Sequence, residues 1–523
     1  MADDAIQHIK QLSEIAPGKP WLVYYVPGAT HAPHHPTPEW IKKISDMHLF
    51  DEGWNKVRET IFANQKRLGI MPENAKLTPW PDSLPQWDSL SFEQKKLFIR
   101  QADVYGAYLA YADNEIGRVI QAVEDLGELD NTLIIYIGGD NGAIAEGMLN
   151  GTPNEFTTFN GVEVPVKDQF LWYPFWGSER TFPHFAAGWA WAMGTPFKWV
   201  KQVPSHFGGT AQGMVMSWPG HINDAGGIRA QFHHFIDIVP TILEAAGIPQ
   251  PETINGIKQE PIEGVSLAYT WDKANATAPT QHQTQYFEML GNRAIYHEGW
   301  VAATTPATLP WELSTKTPPD VITGYNWELY NVDEDPTQFT DLAAKMPDKL
   351  KELQDLFYAE AKKYNVLPLD NSTLARWNAP RPNLTAGRTE FTYQGELSGV
   401  PGSAAPSTLQ VLYDYCRRRD TGRRCARHDR HRRRPLWRLR PLPQPGRLRC
   451  RQWEGRVPLQ SPRPQAHHVG GTGTRTRQTH DRLRLQVGWK GTWRRRHGRS
   501  VGGRPGSRHE QHRPRHPGYL PRG

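Results

Sequence analysis

Charge divides this chain at one point, and the division confines any folded core to what lies before it. From Cys416 to Gly523 there are 30 arginines, one lysine and five acids, whereas residues 1–415 hold 30 basic and 49 acidic side chains. The sequence pI of about 9.1 therefore belongs to the tail, and the body is acidic. A run such as CRRRDTGRRCARHDRHRRR cannot bury enough apolar surface to offset chain entropy. It can be read as a disordered basic extension, as an arm for nucleic-acid phosphates, or as translation out of frame. The codons allowed for Tyr413–Asp420, read one base later, permit Thr-Ile-Thr-Ala followed by small or acidic residues, a strand-like pattern. The out-of-frame reading is preferred, and nucleic acid is not an expected partner. All three cysteines, Cys416, Cys425 and Cys450, fall in the tail, so no disulfide framework is expected in the body.

The body is long enough for more than one core. No run approaches the roughly 20 apolar residues of a membrane span, and MADDAIQHIK lacks the pattern of a secretory signal. A cytoplasmic protein without membrane contact is the expectation. Ile6, Ile9, Leu12 and Ile15 predict a helix over 5–15, stopped at Pro17-Gly18 and followed by an apolar strand, WLVYYVPGA, at 21–29. Residues 92–126 predict a long helix with Tyr108, Ile116, Val119, Ile120 and Val123 on one face, closed by Gly127. TLIIYIGG (132–139) and MVMSWPG (214–220) read as strands covered on both faces, and 232–248 as a helix. Strands alternating with helices argue for a layered α/β sheet over residues 1–284. A small α+β subdomain follows at 285–369, with strands around Gly291-Asn292, a strand at 327–336 and a helix over 346–364. Residues 370–412 read as a Pro/Gly-rich linker or wrapping arm, and 413–523 as the tail. Because the chain opens on a helix and then its first strand, it reads as entered in mid-fold.

Three stretches could carry chemistry. Gly139-Asp140-Asn141-Gly142 follows a strand, where open α/β sheets bind ligands. Its two side-chain oxygens suit a hard cation such as calcium or magnesium, although an Asx turn explains the same residues. Thr30-His31-Ala32-Pro33-His34-His35-Pro36 offers imidazoles for an anionic oxygen or a proton. Zinc is conceivable there, but the prolines splay the side chains, and a plain surface loop is equally consistent. Lys198 and Lys201 lie ahead of Gly208-Gly209, where a fixed cation with backbone close by can meet a tetrahedral anion.

Taken in order, PGATHAPHH (27–35), LGELDNTLIIYIGGDNGA (126–143), GWAWAMGTPFKWVKQVPSHFGGT (188–210), QFHHFIDIVPTILEAAGIPQP (231–251), NGIKQEPIEGVSL (255–267), YFEMLGNRAIYHEGW (286–300) and WELYNVDEDPTQFTDLA (327–343) resemble the sulfatase family. The likeness is to its large bacterial arylsulfatases, within the alkaline-phosphatase superfamily, and runs from about residue 4 to about 412. It implies an alkaline-phosphatase-like layered sheet and calcium-dependent hydrolysis of a small-molecule sulfate ester. It implies that Asp140 and Asn141 supply two calcium ligands, that His31 contacts the sulfate, and that Lys201, with Lys198 as second choice, binds it too. His206 receives no role.

The family's nucleophile is a formylglycine made from the Cys or Ser of a C/S-x-P/A-x-R motif, and no such motif occurs in these 523 residues. The family's early Asp-Asp pair, the motif's Arg and the following Lys and His are also unmatched. The expectation is an N-terminally truncated sulfatase with half of its metal site, unable by itself to turn over an aryl sulfate. A superfamily phosphatase, phosphodiesterase or phosphonate hydrolase is the alternative within this chemistry. A non-catalytic protein with a nucleic-acid-binding tail is the alternative outside it.

Overall fold

The computed structural model describes residues 1–312, 316–372, 375–376 and 388, with strand segments at 391–394, 413–418 and 436–441. Most of the arginine-rich tail, and most of the 370–412 arm, lies outside the described residues. Helices α1 (Ala2–Ile15), α2 (Pro38–Ser45), α3 (Gly53–Arg67), α4 (Phe92–Asp125), α5 (Glu155–Phe159), α6 (Val166–Gln169), α7 (Ala187–Met193), α8 (Phe207–Thr210), α9 (Ile238–Ala245) and α10 (Pro347–Lys363) occur in that order. Strands are β1 (Ile134–Ile137), β2 (Met214–Ser217), β3 (Thr253–Ile254), β4 (Ile257–Lys258), β5 (Thr284–Met289), β6 (Asn292–His297), β7 (Trp300–Thr304), β8 (Trp327–Asn331), β9 (Phe391–Gln394), β10 (Tyr413–Arg418) and β11 (Leu436–Pro441). The chain is a mixed α/β protein in which residues 1–381 form one compact unit. The last three strands form a sheet of their own in the order β10-β11-β9. No helix among the described residues is long and apolar enough to cross a membrane.

α4 is the spine of the larger core. Ser91 caps it: its hydroxyl accepts the Gln94 amide at 3.2 Å and the Gln94 side chain accepts the Ser91 amide at 3.0 Å. The deeply buried face is Leu97, Phe98, Ala102, Val104 and Ala107, near the helix start. Of the predicted face, Tyr108, Ile116, Val119 and Ile120 are only half-buried. Periodicity marked the stripe, but the neighbouring aromatic residues decide where it goes deep. Trp54 of α3 packs at ring-centroid distances of 5.5 Å from Phe98, 5.0 Å from Trp87 and 5.8 Å from Trp189. The sequence reading made no assignment for 37–91, and α2 and α3 fill that gap.

The strand reading needs two corrections. Residues 21–28 join no sheet, and Leu22, Tyr24 and Val26 are exposed. β1 and β2 pair antiparallel, Ile137 opposite Met214, in a two-stranded ribbon. β1 is half-buried along its length rather than covered on both faces, and Val215 of β2 is exposed. Apolar continuity signals extended chain, but cover must come from elements packed on it.

The four-stranded meander β5-β6-β7-β8 matches its sequence signature. Its first two hairpins turn at Leu290-Gly291 and Glu298-Gly299, all four residues at positive φ. That is the turn geometry that matches strand twist, and it sets the first turn one residue earlier than predicted. One sheet face, with Ile295, Ala302 and Leu329, receives Leu353, Phe357 and Ala361 of α10. The other, with Ala294, Tyr296, Val301 and Tyr330, receives Phe207 at the start of α8. The meander therefore backs the loop that carries Lys198 and Lys201.

Candidate active site

The glycines of the two central motifs exist for packing against each other. A Cβ on Gly142 would lie 1.7 Å from the Gly208 carbonyl oxygen; on Gly208, 2.3 Å from the carbonyls of Lys198 and Trp199; on Gly209, 2.2 Å from that of Val203. The Gly142 amide donates to the Gly209 carbonyl at 3.0 Å, and the Lys201 amide to that of Ala143 at 2.9 Å. The sequence reading set the Gly-Gly backbone close to an anion; protein backbone fills that space instead. What this contact achieves is to bring the Asp140-Asn141 turn and the lysine loop together.

Lys201 sits in a tightly constrained loop. Trp199 and Gln202, at φ 70° and 76°, hold left-handed backbone that costs roughly 1–2 kcal/mol each for a side-chain-bearing residue. Several anchors offset it: Val200 is fully buried, the Gln202 side-chain amide donates to Glu146, and the Gln202 carbonyl accepts Asn292 Nδ2 at 3.1 Å. From the far side comes His31. Its Nδ1 lies 2.8 Å from the Ala32 carbonyl oxygen, which can only accept, so Nδ1 carries the proton. The Nε2 lone pair then faces Lys201 Nζ at 3.4 Å. Residues 170 positions apart are thus joined by one ammonium–imidazole contact.

The three neighbouring histidines diverge. His35 Nε2 donates to the Thr181 carbonyl at 2.8 Å. His34 is fully buried between Tyr105, His184 and Phe185, with neither ring nitrogen hydrogen-bonded. Burial, with His184 beside it, holds its imidazole well below the ordinary histidine value. Burial likewise takes His184 down to about 4. Three imidazoles pointing to three places do not make a zinc site, as the intervening prolines foretold.

Lys198 is committed elsewhere. Its ammonium bonds Glu328 at 2.9 Å and the Tyr330 hydroxyl at 2.5 Å on β8. His206, fully buried, donates from Nε2 to the same Glu328 carboxylate at 3.2 Å, and Thr305 donates to its other oxygen. Burial opposes charge on Glu328, but His206, Lys198 and Thr305 outweigh it and hold the carboxyl well below its usual range. Lys198 and His206 thus tie the loop to the meander, which leaves Lys201 as the cation facing His31.

Asp140 is exposed and Asn141 half-buried, and neither side chain is hydrogen-bonded among the described residues. Their oxygens have the chemistry a hard cation takes, but calcium requires six to eight such ligands. Among the described residues no group of three or more His, Cys, Asp or Glu side chains is placed to hold a metal. The donor type fits and the donor number does not, so no step below runs through a metal. Sequence reasoning missed Glu146 and Glu155, beside the lysine loop, because a single Glu in a loop carries no pattern.

The Lys201 loop thus meets both His31 and the segment that follows the Asp140-Asn141 turn. Residues 1–248 match the family model described as Sulfatase, and the curated relatives that the chain resembles include sulfatases. An uncharacterized sulfatase of Schizosaccharomyces pombe is 29% identical over 350 residues, 66% of this chain and 58% of that protein. An arylsulfatase of Klebsiella aerogenes is 27% identical over 285 residues, 54% of this chain and 56% of its own length. The chain thus spans a little over half the length of these curated relatives. Among solved structures, Ps i-CgsB overlays with a TM-score of 0.41 at 14% identity, over 72% of this chain and 57% of that one.

Proposed function

We propose that this chain carries the sulfate-holding part of a sulfuric ester hydrolase of arylsulfatase type. The observation that carries the reading is the 3.4 Å approach of Lys201 Nζ to His31 Nε2. An arriving sulfate oxygen replaces the imidazole lone pair as acceptor of the ammonium hydrogen bond. A proton on His31 Nε2 then supplies a second charge-assisted donor. The anchored loop fixes Lys201 in place before the anion arrives, so little reorganisation is needed. Asp140 and Asn141 are this chain's contribution to a hard-cation site, calcium by the family resemblance. Since the formylglycine motif does not occur in the sequence, the covalent route that splits sulfate displacement into two steps is closed to this polypeptide alone.

Calorimetric titration of sodium sulfate into the protein tests the reading. Wild type should bind, and His31→Ala or Lys201→Ala should each weaken binding roughly ten- to hundredfold, the value of a charge-assisted hydrogen bond. Equal binding by both variants would refute the assignment. With 4-nitrophenyl sulfate and added calcium the chain should release no nitrophenol above background.

A further inference from the structure

Between the start of α9 and the head of β5 lies a buried carboxylate for which the sulfate reading has no use. Asp237, fully buried where the chain enters α9, accepts the backbone amides of His234 and Val265, each at 2.8 Å. The His233 ring donates to it from Nδ1 at 3.0 Å, and the His282 ring, 45 residues further along the chain, from Nδ1 at 2.8 Å. With donors on every side, the carboxyl has no place for a proton of its own. The two rings differ in their other nitrogen. His233 Nε2 lies 3.0 Å from the Tyr269 hydroxyl, which can donate, so a neutral His233 satisfies both of its contacts. His282 Nε2 lies 3.1 Å from Gln285 Oε1. Gln285 Nε2 donates at 2.7 Å to the Tyr286 carbonyl, which only accepts, so the amide cannot be reversed and its oxygen must face the ring. His282 therefore meets an acceptor at each nitrogen and needs a proton on both.

We propose that His282 is a buried imidazolium and that its bridge from Asp237 to Gln285 is a pH-sensitive clasp, which draws the head of β5 onto the start of α9 while charged and slackens when the proton leaves. The clasp stands apart from the sulfate reading of His31 and Lys201. A neutral imidazole has one N–H and one lone pair, so it must turn the lone pair on Asp237 or on Gln285. The first leaves a buried carboxylate without its counter-charge, and the second sets two acceptors against each other. The titratable groups facing His282 are Asp237, His233 and His234 on the segment entering α9, with Tyr269 behind His233; the His234 ring centroid is 6.2 Å away. From β5 comes the neutral Gln285. Burial opposes charge on His282, but Asp237 and then Gln285 outweigh it and hold the ring above the ordinary histidine value of 6.5. The stability that the clasp adds is complete below the unfolded value and is lost as pH rises through the higher folded one. Apolar contact persists throughout, because Phe232 stacks on Tyr296 of β6 at 3.6 Å. The loosening is therefore local to the head of β5.

NMR of the full chain, labelled with carbon-13 at the histidine Cε1 positions, tests the charge. One resonance of wild type should keep the imidazolium shift at about pH 7.5, above the ordinary histidine value. It should be missing from His282→Asn, whose amide keeps a donor for Asp237 but takes up no proton. No such resonance in wild type, or its survival in the variant, overturns the proposal. Gln285→Leu removes only the acceptor facing Nε2, and should bring the same titration down by about half a unit or more, roughly a threefold loss of proton affinity; an unmoved titration overturns the bridge. Amide hydrogen exchange of β5, corrected for its intrinsic pH dependence, tests the clasp. Between pH 6 and 9 wild type should lose roughly three- to tenfold more protection than His282→Asn, the net value of one hydrogen bond. An equal loss in the two proteins overturns the clasp.

Discussion

Glu155 and His184 should give the fold opposite responses to acid, and removing one exposes the other. His184 is fully buried and titrates near 4 in the folded chain against 6.5 when free. As pH falls below 6.5 the unfolded chain takes up a proton that the folded chain refuses. Between pH 7.5 and 5.0 this costs about 2 kcal/mol of stability. His34, shifted the same way, adds to the loss. For Glu155 the sign reverses. Its folded value is about 7 against 4.5, so the folded chain takes the proton first, and stability rises by about 2 kcal/mol over the same range. Wild type should therefore lose less stability between these pH values than it would without Glu155, and Glu155→Gln should lose about 2 kcal/mol more than wild type does. Urea unfolding followed by tryptophan fluorescence measures this, because Trp54, Trp176 and Trp189 are almost fully buried in the larger core. Equal pH dependence in the two proteins would refute the argument.

Gly142→Ala should fail to give soluble folded protein, because its Cβ would overlap the Gly208 carbonyl at 1.7 Å and force two site loops apart, a cost above about 3 kcal/mol. Gly127→Ala, at positive φ but facing open space, should cost only about 1 kcal/mol; soluble yield and urea midpoints compare the two. Glu328→Gln should destabilise the chain by about 2–3 kcal/mol, since Lys198 loses its counter-ion in a largely buried setting. Its sulfate affinity by calorimetry should stay near wild type, and a tenfold loss would point to Lys198 rather than Lys201 as the anion's cation.

Much of the architecture was legible from local pattern. α1, α4 and α10 announce themselves by helical spacing of apolar residues, and the meander by short strands punctuated at Gly291 and Gly299. The pairing of Asp140-Asn141 with His31 and Lys201 was suggested by residue type and by family likeness. Where the reading faltered, the missing information was long-range. The stretch 21–28 has strand composition but no strand beside it, and 37–91 holds two helices whose buried faces are short.

Sequence alone determined the charge break at Cys416, the lack of a formylglycine motif, and the choice of His31, Lys198 and Lys201 as candidates, because these are matters of residue type and order. The tertiary structure decided which lysine is available: Lys198 is consumed by Glu328 and Tyr330 of a strand some 130 residues away, and Lys201 is not. It also decided that the motif glycines face backbone, that His34 and His184 are shut away uncharged, and that Glu155 is buried. Spacing along the chain cannot report such facts. Burial and the field of neighbouring charges arise only when distant segments close on one another.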